Sequence, residues 1–215
     1  QVKYGATFHD QETGLGHTFY FLTGMPWPNW TYNVPRADFD ALLLDHSRKQ
    51  GVAVHQPATV ARVDLDAEGV TLEVDEGGDR VTHRARFLVD ASGRDGFLAG
   101  RLGRRSRIPN LGKVALFAHY RGGRRFPGRE EGNVRIYLFE GGWFWWIPMA
   151  NDLTSVGAVV HARDVRAHAG PPEAMFEAMV QRCRAVAEHL IGAERVTPLH
   201  RAANFAYTNA PIVGD

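Results

Sequence analysis

Along residues 141–149 the chain reads GGWFWWIPM, and its apolar positions alternate. In an extended backbone Trp143, Trp145 and Ile147 share one side while Phe144 and Trp146 share the other. Both sides are apolar, which predicts a strand buried on both faces, or a strand with one face lining a pocket. The segments around it, KVALFAHYR, NVRIYLFEG and TSVGAVVHAR, alternate in the same way and read as antiparallel strands. The period then lengthens. PPEAMFEAMVQRCRAVAEHL carries a helical stripe of Met175, Phe176, Met179, Val180, Cys183, Val186, Ala187 and Leu190. A last strand is expected within VTPLHRAANFAY.

Upstream, residues 1–33 hold short strand-like runs such as HTFYFL. NVPRADFDALLLDHSRKQG then predicts a helix. Asn33 reads as its cap and Pro35 as a first-turn residue, with Phe39, Leu42, Leu43 and His46 on one side. Arg48 and Lys49 close the last turn and Gly51 stops it. Next come three alternating strands split by the turn signals AEG and EGGD, a meander that runs into a fourth apolar strand, RFLVDASG. There is no internal repeat. These blocks predict two interleaved subdomains, one from about 34–106 and one from 1–33 with 107–209, while 210–215 return toward the first.

The 215 residues suffice for one large domain or two small ones. At 44% hydrophobic and 23% charged, the composition is that of a soluble globular protein. A net charge of +1 gives no reason to expect nucleic acid or an anionic membrane as partner. No apolar run approaches the roughly eighteen residues of a membrane span. Cys183 is the only cysteine, which excludes an internal disulfide and fits a reducing cytoplasm. Ten histidines beside one cysteine argue against a structural zinc site, and no metal is expected. The first residues, QVKYGATF, already read as a strand, and APIVGD reads as another. The chain is therefore expected to be a piece of a longer protein.

Several short patterns carry possible chemistry. Gly14-x-Gly16 lacks the third glycine of a dinucleotide fingerprint, with Phe19 in its place, and reads as an ordinary turn. LVDASGRDG puts Asp90 and Gly93 at the end of a predicted strand, either as a ligand-binding edge or as a capped turn. RLGRRSR is a basic loop that solvent or a phosphate would satisfy. Lys3, in the apolar context VKYGATF, is either an edge-strand charge or a desolvated amine able to act in catalysis. Cys183 lies on the apolar stripe and reads as core.

Taken together, VPRADFDALLLDHSRKQGV, the meander and LVDASGRDGFLAGRLG resemble the middle of flavin monooxygenases of the hydroxybenzoate-hydroxylase fold. WFWWIP matches the Trp-x-Trp-x-Ile-Pro signature of flavin-dependent halogenases within that superfamily. KYGATF and NFAYTNAPIVGD are similar to halogenases of the phenol, pyrrole and carrier-tethered type. The resemblance implies a mixed α/β and α+β fold. Residues 34–106 would be part of an FAD-binding domain with a β-meander, and 1–33 with 107–209 an antiparallel-sheet substrate domain. It places the Gly-rich βαβ unit that holds the FAD pyrophosphate outside these 215 residues, which are expected to be inactive by themselves.

The activity it implies is oxidation of chloride or bromide through a flavin hydroperoxide, followed by halogenation of an electron-rich aromatic substrate in secondary metabolism. The substrate is free or tethered to a carrier protein, and a separate flavin reductase supplies reduced FAD. Lys3 matches the lysine that passes on the electrophilic halogen. Arg36, Val60, Asp90 and Gly93 match cofactor-binding positions, and Trp143, Trp145, Ile147 and Pro148 a wall along the tunnel between flavin and substrate. The sequence departs from the family at His9-Asp10, where Trp-Gly is common, so the substrate pocket is expected to differ. A flavin hydroxylase, a geranylgeranyl-reductase-like oxidoreductase and a non-catalytic module holding an apolar ligand are the alternatives.

Overall fold

The computed structural model describes residues 1–203 and 206–210. The chain forms two compact units, Gln1–Pro35 with Ser106–Asn209, and Arg36–Arg105 with Ala210. In chain order, the first unit opens with β1 (Val2–Lys3), β2 (Gly5–Asp10), β3 (Gly16–Tyr20) and β4 (Thr31–Tyr32). The second holds α1 (Arg36–Lys49), β5 (Ala58–Asp66), β6 (Gly69–Glu76), β7 (Asp79–Ala85) and the short α2 (Phe97–Arg101). After β8 (Arg105–Arg107) the first unit resumes with β9 (Lys113–Arg121), β10 (Val134–Phe139), β11 (Gly142–Pro148) and β12 (Leu153–His161). It continues through α3 (Ala162–Ala167), α4 (Pro172–Arg182), α5 (Arg184–His189), β13 (Glu194–Arg195) and β14 (His200–Ala203).

The first unit is built on an eight-stranded sheet in the order β13-β9-β12-β11-β10-β2-β3, with β14 also on β9. Its pairs are antiparallel except β10 with β2, which run parallel; local alternation does not reveal strand direction. One face carries Phe144, Trp146, Val156 and Ala158, all at 0% exposure, and packs on Phe176, Met179, Val180 and Val186 of α4 and α5. The stripe expected for a helix at 172–190 is thus the core. The single helix expected there is interrupted at Cys183 (φ −103°, ψ 85°). The side chain of Gln11 accepts the Ala185 N–H at 3.2 Å, satisfying a donor that the break takes out of the helical ladder. Val186 and His189 are the buried residues of α5.

The second unit contains the expected three-stranded antiparallel meander, β5-β6-β7, with Val70 and Val74 of the central strand buried. Two expectations fail, the strand at 86–92 and the cap at Asn33. Residues 86–92 are not a strand, and Phe87 and Val89 are 83% and 85% exposed. A strand exists through its ladder, and no described strand lies beside this run to complete one. The apolar side of α1 is not covered either: Phe39, Leu42 and Leu43 are exposed and no residue of the helix is buried. Asn33 does not cap α1. It is 7% exposed and its amide donates to the carbonyls of Gly132 (2.8 Å) and Pro148 (2.7 Å). The strand expected within VTPLHRAANFAY forms as β14, and a short β15 (Tyr207–Asn209) begins at its last residue; of NFAYTNAPIVGD, residues 204–205 and 211–215 lie outside the described residues.

Candidate active site

β11 lies between β10 and β12, and the pleat sorts its side chains. Phe144, Trp146 and Pro148 enter the core, while Trp143, Trp145 and Ile147 stand half-buried on the opposite face. The strand is therefore core on one side and an accessible aromatic surface on the other. Pro148 belongs to the core side by its ring, and its carbonyl is the one held by Asn33.

Local chemistry fixes the two half-buried indoles. Trp145 stands opposite Gly157 of β12 and its ring lies across that residue. A Cβ at position 157 would come within 2.2 Å of Trp145 Cζ2 and 2.5 Å of Phe117 Cβ, so only glycine leaves room. The Trp145 Nε1–H donates to Ser155 Oγ at 3.1 Å, and the Phe117 ring lies 5.6 Å away. Trp143 is faced by Lys113, whose ammonium sits 5.5 Å from the ring centroid and donates to His161 Nε2 at 2.8 Å. Such a cation over an indole face is worth about 0.5–1 kcal/mol at an exposed site. On the same sheet, burial and then neighbouring His200 push His119 below the ordinary histidine value.

Lys3 is half-buried, and its backbone pairs with Thr31 of β4. Among the described residues its amine makes no hydrogen bond or ion pair. The chain continues through Tyr4, whose N–H donates to Asn133 Oδ1 at 3.0 Å, into β2 beside β10. Lys3 and the tryptophans thus share one unit, and among the described residues no hydrogen bond or ion pair joins them.

The flavin-binding residues suggested by the resemblance lie in the second unit. Arg36 opens α1 with its side chain 80% exposed, donating to Asp40 through Nε (3.0 Å) and Nη2 (2.9 Å). Val60 is half-buried at the bulge in β5. Asp90 is committed to its own turn. Its Oδ1 accepts the Ser92 N–H at 2.9 Å and its Oδ2 the Leu98 N–H at 2.8 Å. Hydrogen bonds from Ser92, then Leu98, hold its carboxyl below the ordinary aspartate value. Asp90 therefore shapes the turn in which Gly93 takes a left-handed φ of 63°. An exposed cation, an apolar strand residue and a glycine turn fit a flavin nucleotide in their chemistry, with Asp90 acting through the turn.

Sequence reading missed Lys113, Ser155, Gly157 and Asn33. Lys113 had a signal, since it is one of only three lysines in an arginine-rich chain. Ser155 and Gly157 depend on register across strands, and Asn33, read as a helix cap, on carbonyls far along the chain; none of these leaves a local trace.

The profile of the tryptophan halogenase family matches residues 22–191. A 1H-pyrrole-2-carbonyl-[peptidyl-carrier protein] chlorinase of Pseudomonas fluorescens is 28% identical over 87% of this chain and 43% of its own length. The tetracycline 7-halogenase of Kitasatospora aureofaciens is 30% identical over 96% of this chain and 43% of its own. The crystal structure of CmlS, a flavin-dependent halogenase, superposes with a TM-score of 0.89 at 32% identity, covering 97% of this chain and 38% of that one. The chain spans less than half the length of these relatives. With the hydroxybenzoate-hydroxylase-like architecture and the Trp-x-Trp-x-Ile-Pro strand in place, the chain belongs to the tryptophan halogenase family.

Proposed function

We propose that this chain works within an FAD-dependent halogenase that oxidises chloride or bromide and halogenates an electron-rich aromatic ring. The observation that carries this reading is the half-open face of Trp143, Trp145 and Ile147, held rigid by Gly157, Ser155 and Lys113 in a member of this family. Relatives named for a carrier-bound pyrrole and for tetracycline support an aromatic substrate, free or carrier-tethered. FAD, reduced by a separate flavin reductase in the cytoplasm, supplies the oxidising power with oxygen. The residues of this chain do the rest. The indoles and Ile147 exclude water from the oxidant's path and orient the ring that receives the halogen. The Lys3 ammonium donates a hydrogen bond to the electrophilic halogen species and directs it to that ring. Arg36 would offer a charge to the cofactor's phosphates, Val60 would pack on its adenine, and Gly93, held in the Asp90 turn, would let the backbone approach it without a side chain in the way.

Lys3→Ala in the full-length protein tests this. Loss of halogenated product with continued peroxide release is expected, because a residue used only in the chemical step lowers turnover. Product formed at the wild-type rate would overturn the role of Lys3. Absence of halogenated product from the wild-type protein, given reductase, halide and a panel of phenols and pyrroles, would overturn the halogenase reading.

A further inference from the structure

We propose that His55, Glu76 and His83 form a binding site for a divalent transition-metal ion of the zinc class. The three residues come from different parts of the second unit: the connection between α1 and β5, the end of β6, and β7. His55 Nδ1 lies 2.9 Å from Glu76 Oε2, and His83 Nε2 lies 2.6 Å from Glu76 Oε1. All the ligand atoms fall within 4.8 Å of one another. The two imidazoles stand edge to face, 5.1 Å between centroids, so both present a nitrogen to one carboxylate.

Two imidazole nitrogens and a carboxylate are a donor set suited to zinc, cobalt or nickel, with water completing the shell. Bonds of about 2.0–2.2 Å to a tetrahedral ion require ligand atoms roughly 3.3 Å apart. Binding would draw the ligand atoms, now within 4.8 Å of one another, to that spacing. Side-chain exposures of 46%, 21% and 37% leave the ion and its water a way in. The cluster carries no sequence signature, because its members are separated by 21 and 7 residues and only the meander brings them together. A bound ion would tie the connection after α1 to an edge of the meander.

The test uses full-length protein without a histidine tag, stripped by a chelator. Zinc is titrated by calorimetry, and cobalt is followed by its visible absorption. Saturable binding of one ion at the cluster is expected, with thermal stabilisation of the protein. His83→Ala and, separately, Glu76→Gln should each weaken binding by about tenfold or more, with circular dichroism unchanged. No saturable binding by the wild-type protein, or binding that neither variant weakens, would overturn the site. Halogenation is not among the readouts, so failure here leaves the proposed reaction untouched.

Discussion

His189 and Gly157 each make a prediction at the scale of a single residue. The His189 ring is boxed by Phe126, Tyr137 and Trp146 at centroid distances of 5.3, 5.5 and 5.5 Å, and its Nε2 is 2.8 Å from the Tyr137 hydroxyl. Burial, helped by Arg124 and Arg135, pushes its pKa from 6.5 down to about 4, against a smaller opposite pull from Glu188. The unfolded chain therefore binds more protons than the native one between these values. The stability that depends on neutral His189 is complete above pH 6.5 and is lost as pH falls toward 4, on the order of 3 kcal/mol in all. Denaturant unfolding of wild type and His189→Gln across this window checks it: the gap in their pH slopes should close above pH 7. The Tyr137 hydroxyl, pushed up to about 12 chiefly by burial, stays protonated throughout. Gly157→Ala should cost about 1–3 kcal/mol by overpacking, because both the Trp145 ring and the Phe117 Cβ stand in the way. Altered tryptophan emission should accompany the loss, and unchanged emission and stability would mean that Trp145 does not lie across Gly157 in solution.

Among the elements, β11 and the α4–α5 pair depend on each other. Phe176 of α4 is 2% exposed and meets Phe144 of β11 edge to face at 5.9 Å. Truncation there removes a ring from the centre of the core, so Phe176→Ala should lower unfolding free energy by about 3–5 kcal/mol. Leu42→Ala on α1, where the side chain is 65% exposed, should stay within about 0.5 kcal/mol in the 215-residue chain. The two variants together ask whether the covered sheet face, rather than apolar content alone, holds the fold. Asn33 works at this scale too, since its two amide hydrogen bonds pin the end of β11 to the loop before β10. No helical or strand period marks that role, and its position just before α1 suggested a cap instead.

In the whole molecule the two units differ in how much they bury. The first holds the large continuous core under α4 and α5, whereas in the second Val70, Val74 and Ala99 are the only buried apolar residues among those described. Local opening free energies follow buried contacts. Amide exchange should therefore be slowest in β9, β11 and β12, and faster in the meander and in the edge strand β3. Comparable protection of the meander and of β12 would show that the second unit draws stability from something other than its own core.

Much of the fold was legible locally. Alternation at 113–121, 134–139, 142–148 and 153–161 marked four real strands, and the turn signals bounded the meander correctly. The stripe at 175–190 named the residues that fill the core. These features rest on backbone geometry, in which strand and helix periods are written into neighbouring residues. The tertiary structure decided everything that needs a distant partner. It chose which face of β11 the helices cover, and so left Trp143 and Trp145 rather than Phe144 and Trp146 accessible. It ran β2 parallel to β10 and interrupted the helix at Cys183, where Gln11 meets it. It left 86–92 without a ladder, because a strand's hydrogen bonds belong to its neighbour as much as to itself. It also joined His55, Glu76 and His83 into one cluster. A side chain's period is set by its own backbone, but its partners are set by where the rest of the chain folds.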